Sequence, residues 1–479
     1  MDRRACSVSA ARAQMRVRRR CTVAGERRTR KYRQVSAFER IGGRHRSADA
    51  RSETDRIPRA TRCSLANVLA PERRTRADII SAVAIAVVVV IAAAVVWARS
   101  DARGTESVTA EHPVSTPAAA DQVPTSLREL WHAPDPAANR ALVAAGTVVT
   151  GADGTVTGHD PRTGAQVWHY RRDLPLCGVE SQFGTVIAVY KDQRGCSQAT
   201  LLAGEDGSRR TARSSYMDPT VQLSVDGTYV LAQGPRRLEM WRSDLVRTLE
   251  YGYVDAPVNV KTQPRKGCKL ISSSSSSTRL AVLERCPEDP SNRLSVLNPA
   301  PKDNTVPEEY GSHVLNGSGA DSPDGRVIAV SDNRIVLYLP GTPATATAEA
   351  ISPRLEVFDG TGNALVVHQL SAPLSDKTTT TRISSLFLVF TGNSLIALNA
   401  GTFDPIWAAP GALGSPVFMA GRLLVPVDGA IAVLDPTSGT EVSRIPVARP
   451  GYDGSPISLA VLGTTVLERR GAEMFALGS

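Results

Sequence analysis

The chain has 479 residues, 42% hydrophobic and 22% charged, with a formal net charge of +9. That size excludes a small disulfide-stapled scaffold, and that apolar content excludes a wholly disordered chain. Of 56 Lys and Arg, 22 precede residue 78, against 7 of 47 Asp and Glu, so the first 77 residues carry +15 and the rest −6. The basicity therefore belongs to one end and does not mark a nucleic-acid-binding domain.

Residues 1–77 show no hydrophobic periodicity and read as a disordered basic tail on the cytoplasmic side. Contact with anionic headgroups or nucleic acid, a topology signal alone, and an over-long reading frame are the three explanations it allows. Tyr32 and Phe38 are too few aromatics for a recognisable nucleic-acid module. No nucleic-acid partner is expected.

Residues 79–97 (IISAVAIAVVVVIAAAVVW) hold 19 positions with one polar residue, Ser81, and no charge. A helix of that length just crosses a hydrocarbon core, which predicts a transmembrane helix over 78–98. Arg73, Arg74 and Arg76 flank its start, so the N-terminus is expected inside and the remainder outside the cytoplasmic membrane. A cleaved signal peptide is the rival, with Val96 and Ala98 as its small-residue site, but the apolar run is longer than a usual signal core. Residues 99–126, rich in Ser, Thr, Pro and Ala, read as a flexible tether.

From 127 to the end the pattern is β. Residues 148–170 (VVTGADGTVTGHDPRTGAQVWHY) read strand, turn, strand, turn, strand, with Asp160, Gly164 and Trp168 at intervals of four. In 386–410, Asn399 and Trp407 match Asp160 and Trp168; in 423–447, Asp435 and Gly439 match while Ser443 replaces the Trp. LSVDG, DSPDG and the serine run 272–277 carry a second, weaker turn type. Blades are expected to begin near Asn139, Cys177, Pro219, Cys268, His313, Lys377, Ser415 and Ser455. The eighth lacks a fourth strand, which residues 127–133 can supply, with Trp131 closing the ring as Trp168 serves the first blade. The expectation is an all-β propeller domain over 127–479, eight blades favoured and seven possible because 331–385 is irregular.

The D-x3-G-x3-W units resemble the PQQ-like, quinoprotein-type β-propeller repeat, and the S-x-D-G units resemble WD-repeat and TolB-like blades. The resemblance implies a membrane-anchored, non-catalytic member of a bacterial, specifically actinobacterial, cell envelope. Quinoprotein enzymes resemble one another in a vicinal Cys-Cys pair, which this chain lacks, so no cofactor is expected.

Cys177, Cys196, Cys268 and Cys286 lie in the propeller at spacings of 19 and 18. Each first Cys opens an inner strand and each second follows the next, which makes Cys177–Cys196 and Cys268–Cys286 plausible disulfides; four buried thiols are the alternative. Metal binding is disfavoured, since no C-x-x-C or H-x-x-x-H accompanies them.

No catalytic constellation is legible. His159 and His169 read as surface or packing residues, and Ser415 and Ser455 as turn residues. The serine run reads as a loose strand or turn, and Glu288, Asp289, Glu308 and Glu309 as solvated loop. The functional expectation is a scaffold recruiting an envelope protein at the cytoplasmic membrane, with a binder of a small envelope ligand as the alternative and an enzyme less expected.

Overall fold

The computed structural model describes residues 75–479 apart from 101–102, 258–259 and 345–348. It divides into units Met1–Thr75 and Arg76–Ser479. The expected basic tail lies, up to residue 74, outside the described residues.

The second unit begins with a helix, Arg76–Ala98, of 23 residues, long and apolar enough to cross a membrane, with no buried side chain. Eight sheets follow as the blades of a propeller, antiparallel except where Gly414–Ser415 pairs parallel with Ile457–Ser458 in blade 8, which sets aside the seven-blade alternative. The first strands of their antiparallel ladders begin at Leu142, Leu176, Gln222, Lys269, Arg326, Thr379, Val417 and Ile457, and Gly414–Ser415, expected near the start of blade 7, lies instead beside the Ile457 strand of blade 8. The apolar residues that alternate along the strands meet between sheets. Eight buried clusters result, one at each contact between neighbouring blades, including a last one joining Leu467 and Met474 of blade 8 to Ala141 and Val148 of blade 1.

The ring closes with its two ends in one sheet. Arg128–Pro134 runs antiparallel to Glu473–Gly478 and forms the outermost strand of blade 8. A truncated N-terminus would leave the C-terminal strand as an open edge.

Two expectations need correction. Blade 5 does not begin near His313, which lies in Glu309–Val314, the outer strand of blade 4. The cause is the Asp-Gly signal: Asp226–Gly227 turns between the first two strands of blade 3, whereas Asp324–Gly325 precedes the inner strand of blade 5. The irregular stretch holds three strands of that blade, Arg334–Leu339, Arg354–Asp359 and Ala364–Gln369, with an excursion between the first two.

Nor are residues 99–126 a free tether. Thr105–Val108 adds a fifth strand to blade 1, paired with His169–Arg172. Ala110 and Val114 donate to the Asp206 and Glu205 carbonyls of blade 2, and Ala120 and Val123 pack in the core between blades 7 and 8. The sparse apolar residues of a Pro- and Ser-rich segment suffice here because the propeller offers it a sheet edge and an apolar groove.

Candidate functional site

Each recurring turn is built by its own side chain. Asp160 Oδ1 accepts from the Arg162 and Thr163 amides, Asn399 Oδ1 from Gly401 and Thr402, and Asp435 Oδ1 from Thr437 and Ser438. These bonds to the charged form hold Asp160 and Asp435 below the usual carboxylate range, against the opposing pull of burial at Asp160. Gly164 and Gly439, with φ of 71° and 70°, complete the turns.

The tryptophans dock on those glycines one blade onward. A Cβ on Gly164 would lie 2.6 Å from Trp131 Cγ, one on Gly207 2.6 Å from Trp168 Cγ, and one on Gly439 2.5 Å from Trp407 Cδ2. The indole nitrogens donate to the Pro161, Gly204 and Pro436 carbonyls at 3.1, 2.8 and 3.0 Å. Trp131 thus couples the last blade to the first, with the His159 ring 5.3 Å from its own. Blade 5 carries no outer Trp, and Phe403 occupies the glycine position of blade 6 at φ 64°, fully buried against Phe387. It fills from one side the gap that an indole fills elsewhere.

Cys177–Cys196 and Cys268–Cys286 are disulfides, with Cα separations of 6.0 and 4.2 Å. Glu284 lies beside the second, its carboxylate oxygen within 4.8 Å of both sulfurs. Disulfide sulfurs are not thiolates, so this trio is not a metal centre in the oxidised protein. Glu284 is fully buried, accepts from Tyr251 Oη and Ser295 Oγ at 2.7 and 2.6 Å, and leaves Oε2 without a partner. Burial lifts its pKa to about 7. Of the acidic group expected in solvated loop, Asp289 instead makes a two-point ion pair with Arg293, and Glu309 pairs with Arg265.

Two surfaces remain open for binding. The first is the central channel between blades 3 and 6. Cavities of about 450 and 630 Å³ are lined by inner-strand residues, prominently the serines of 272–275 together with Ser224 and Thr380. Of the two readings of this serine run, a loose strand or a turn, the structure has the strand. It is an ordered inner strand, Lys269–Ser275, whose residues stitch neighbouring blades. Ser272 Oγ accepts from the Val327 amide, Ser273 bonds Gln233, and Ser275 donates to Asp226 at 2.5 Å.

The second surface is the outer edge of blade 5, Ala364–Gln369 (ALVVHQ), paired only on its inner side. Leu365, Val366 and Val367 are 51%, 37% and 46% exposed. The other outer edges are blunted. Blade 1 is covered by Thr105–Val108, and blade 2 carries Arg209, Arg210 and Arg213. In blade 3 the Glu250 amide is taken by the Asn304 carbonyl, and the outer strand of blade 4 carries Glu309 and the breaker Gly311. Blade 6 has Pro405 and Pro410; blade 7 has Glu441, Arg444 and Pro446; blade 8 has Arg128, Glu129 and Pro134. Three consecutive aliphatics without charge or proline were a signal the sequence offered and pattern-matching to repeats passed over.

No protein-family model matches the chain, and no curated protein matches it. Among solved structures it is similar to BamB from Moraxella catarrhalis, with a TM-score of 0.45 and 14% identity over 74% of this chain and 100% of that one. It is likewise similar to the dihydro-heme d1 dehydrogenase NirN, with 0.45 and 15% over 72% and 78%. The C-terminal WD40 domain of Sif2 gives 0.44 and 10% over 75% and 99%. Its own eight sheets place the chain among the β-propellers.

Proposed function

We propose that this protein is a single-pass membrane-tethered, extracytoplasmic β-propeller that recruits an envelope protein, acting as a scaffold and not as an enzyme. The observation that carries the reading is the open edge Ala364–Gln369. It offers unpaired backbone groups and three exposed aliphatics where the other blade edges are covered, charged or broken. The partner it suits is an extended, uncharged apolar segment of another protein, added as a further strand with main-chain bonds for affinity and aliphatic contacts for selectivity. The apolar helix and the arginines before it support the topology, and two disulfides suit an oxidising compartment. Only six residues separate Ala98 from the strand at Thr105, so the chain there reaches at most about 20 Å. On this reading the propeller is held close to the membrane surface.

The test is the size of the full-length protein extracted from its membrane in mild detergent. The wild type is expected in a complex with a second polypeptide, and Val366→Lys in uncomplexed form with its melting temperature unchanged. A complex that survives Val366→Lys, or that contains only copies of this chain, overturns the proposal.

A further inference from the structure

The helix end and the propeller rim enclose a cavity that neither makes alone. The 23 residues of Arg76–Ala98 rise about 34 Å, enough to cross a hydrocarbon core of about 30 Å and end in its interface. Trp97, 63% exposed one residue before that end, is a residue type that marks this depth. The chain then turns instead of extending. The Arg99 amide donates to the Val95 carbonyl, that of Ser100 to Trp97, and that of Arg103 to Ser100. One residue on, the Gly104 carbonyl accepts from the Asp173 amide, and a Cβ on Gly104 would lie 2.9 Å from the Asp173 Cβ. In a spanning chain the link between blades 1 and 2 is thereby seated at the height of the headgroups, with no slack between it and the helix.

A cavity of about 460 Å³ lies at this junction, lined by Arg99, Ser100 and Arg103 from the chain and by Arg172, Asp173 and Leu174 from the propeller. Through the last three it continues into one of about 520 Å³ that reaches the Asp153–Gly154 turn of blade 1. Three arginines in the first lining face one carboxylate, and Asp101, which lies outside the described residues, still leaves the balance positive. The described acids are engaged: Asp173 pairs with Arg171 at 3.4 Å, and Glu106 with His169 at 3.3 Å. Arg172 lies 5.4 Å from the Tyr190 ring centroid. Arg99 and Arg103 are exposed, and among the described residues no carboxylate pairs with either; Arg103 only lies 5.6 Å from the Trp97 centroid. Two guanidinium forks are thus left unmatched at the depth where phosphates lie, and a planar fork suits phosphate oxygens.

We infer that Arg99 and Arg103 hold the phosphate of one anionic phospholipid at the helix–propeller junction. The headgroup enters the cavity, whose volume lies within the range of small-ligand sites, and the acyl chains lie along the helix beside Val95 and Val96, 44% and 69% exposed. A headgroup without an ammonium is favoured, because an ammonium would be brought among arginines whose neighbouring carboxylate is already taken. A lipid held there ties blade 1 to the bilayer and turns the face bearing Asp153–Gly154 and Asp173 toward it. The inference rests on the proposed membrane span, but not on its direction, and is independent of the blade 5 edge.

The test uses the full-length protein, purified in neutral detergent and stripped of lipid, titrated with phosphatidylglycerol and with phosphatidylcholine and read by native mass spectrometry. One phosphatidylglycerol per chain is expected, with phosphatidylcholine bound severalfold more weakly. Arg99→Gln/Arg103→Gln should weaken phosphatidylglycerol binding about thirtyfold, the worth of two surface cations. Its melting temperature should be unchanged, because neither guanidinium bonds a carboxylate among the described residues. Arg210→Gln, which removes an exposed cation from the outer strand of blade 2, and Val366→Lys should bind lipid as the wild type does. Equal binding of the two lipids, or an equal loss in Arg210→Gln, would make the contact an unselective charge effect and overturn the inference, as would a double variant that binds like the wild type. Displacement of the lipid by equimolar glycerol 1-phosphate would make a free phosphate ester the ligand and overturn it too. The chain mass in the same spectrum tests the span separately. A chain lacking residues 76–98 removes both readings, whereas an intact chain that holds no lipid removes this one alone.

Discussion

Trp131→Ala tests ring closure. The indole is mostly buried on Gly164 and donates to Pro161 O at 3.1 Å. Loss of its packing costs about 3 kcal/mol, toward the low end for buried aromatics because the ring keeps some exposure, and the hydrogen bond about 1 more. For a domain of roughly 350 residues that lowers the melting temperature by about 5 °C. Gly164→Ala damages the same contact from the other side. Its Cβ would clash with the indole at 2.6 Å, and an L-residue at φ 71° costs about 1–2 kcal/mol in addition. With Trp131 already removed only the backbone part remains, so the two losses are expected to be sub-additive by at least about 1 kcal/mol. Thermal unfolding of the four proteins of the cycle, with hydrogen exchange over 128–134, reads both the coupling and the release of the closing strand. Additive losses, or unchanged exchange in Trp131→Ala, would refute the latch.

Other outcomes follow from the same geometry. Glu284→Gln should flatten a pH dependence. The folded pKa of about 7 lies above the ordinary 4.5, so the folded state holds a proton that the unfolded state has released, and stability falls as pH rises from about 4.5 to 7. The variant should melt higher than wild type at pH 8 and match it near pH 4; equal melting at pH 8 would show that burial does not strain this carboxyl. The disulfides close loops of 19 and 18 residues, each worth about 3 kcal/mol in the chain-entropy model. Cys177→Ala/Cys196→Ala and Cys268→Ala/Cys286→Ala should each destabilise the domain, and thiol mapping of protein from membranes should find all four cysteines blocked; free thiols there would count against an oxidising location. A reporter active only outside the cytoplasm, fused after Ser479, should be active, and activity of a cytoplasm-only reporter at that point would reverse the topology.

What the sequence made legible was the part specified by local chemistry. The D-x3-G turn is made by contacts within a few residues, so Asp160 and Gly164 can be read directly, as can the hairpin spacing of the cysteines, whereas Trp168 is read from its spacing and docks a blade onward. The blade 5 start was misplaced because Asp-Gly marks any tight turn, and only the register of the whole sheet tells which one. The segment before residue 127 was misread because its order comes from a partner far along the chain, the strand ending in Arg172 and the core around Leu459. The channel residues Ser224, Ser274 and Thr380, 50 and 106 positions apart, line one cavity only once the ring has formed. Phe403 shows the same limit: the turn sets its positive φ, as at Gly164 and Gly439, and only the lack of an indole from the preceding blade leaves room for its ring.

The central claim, that the blade 5 edge is where a partner sits, is tested most directly by a photo-crosslinking side chain at position 366 in membranes. The account predicts an adduct of one defined additional mass from position 366, and none from position 442 on the charged outer edge of blade 7 or position 209 on that of blade 2. No adduct at 366, equal adducts at all three positions, or an adduct of this chain with itself would contradict it.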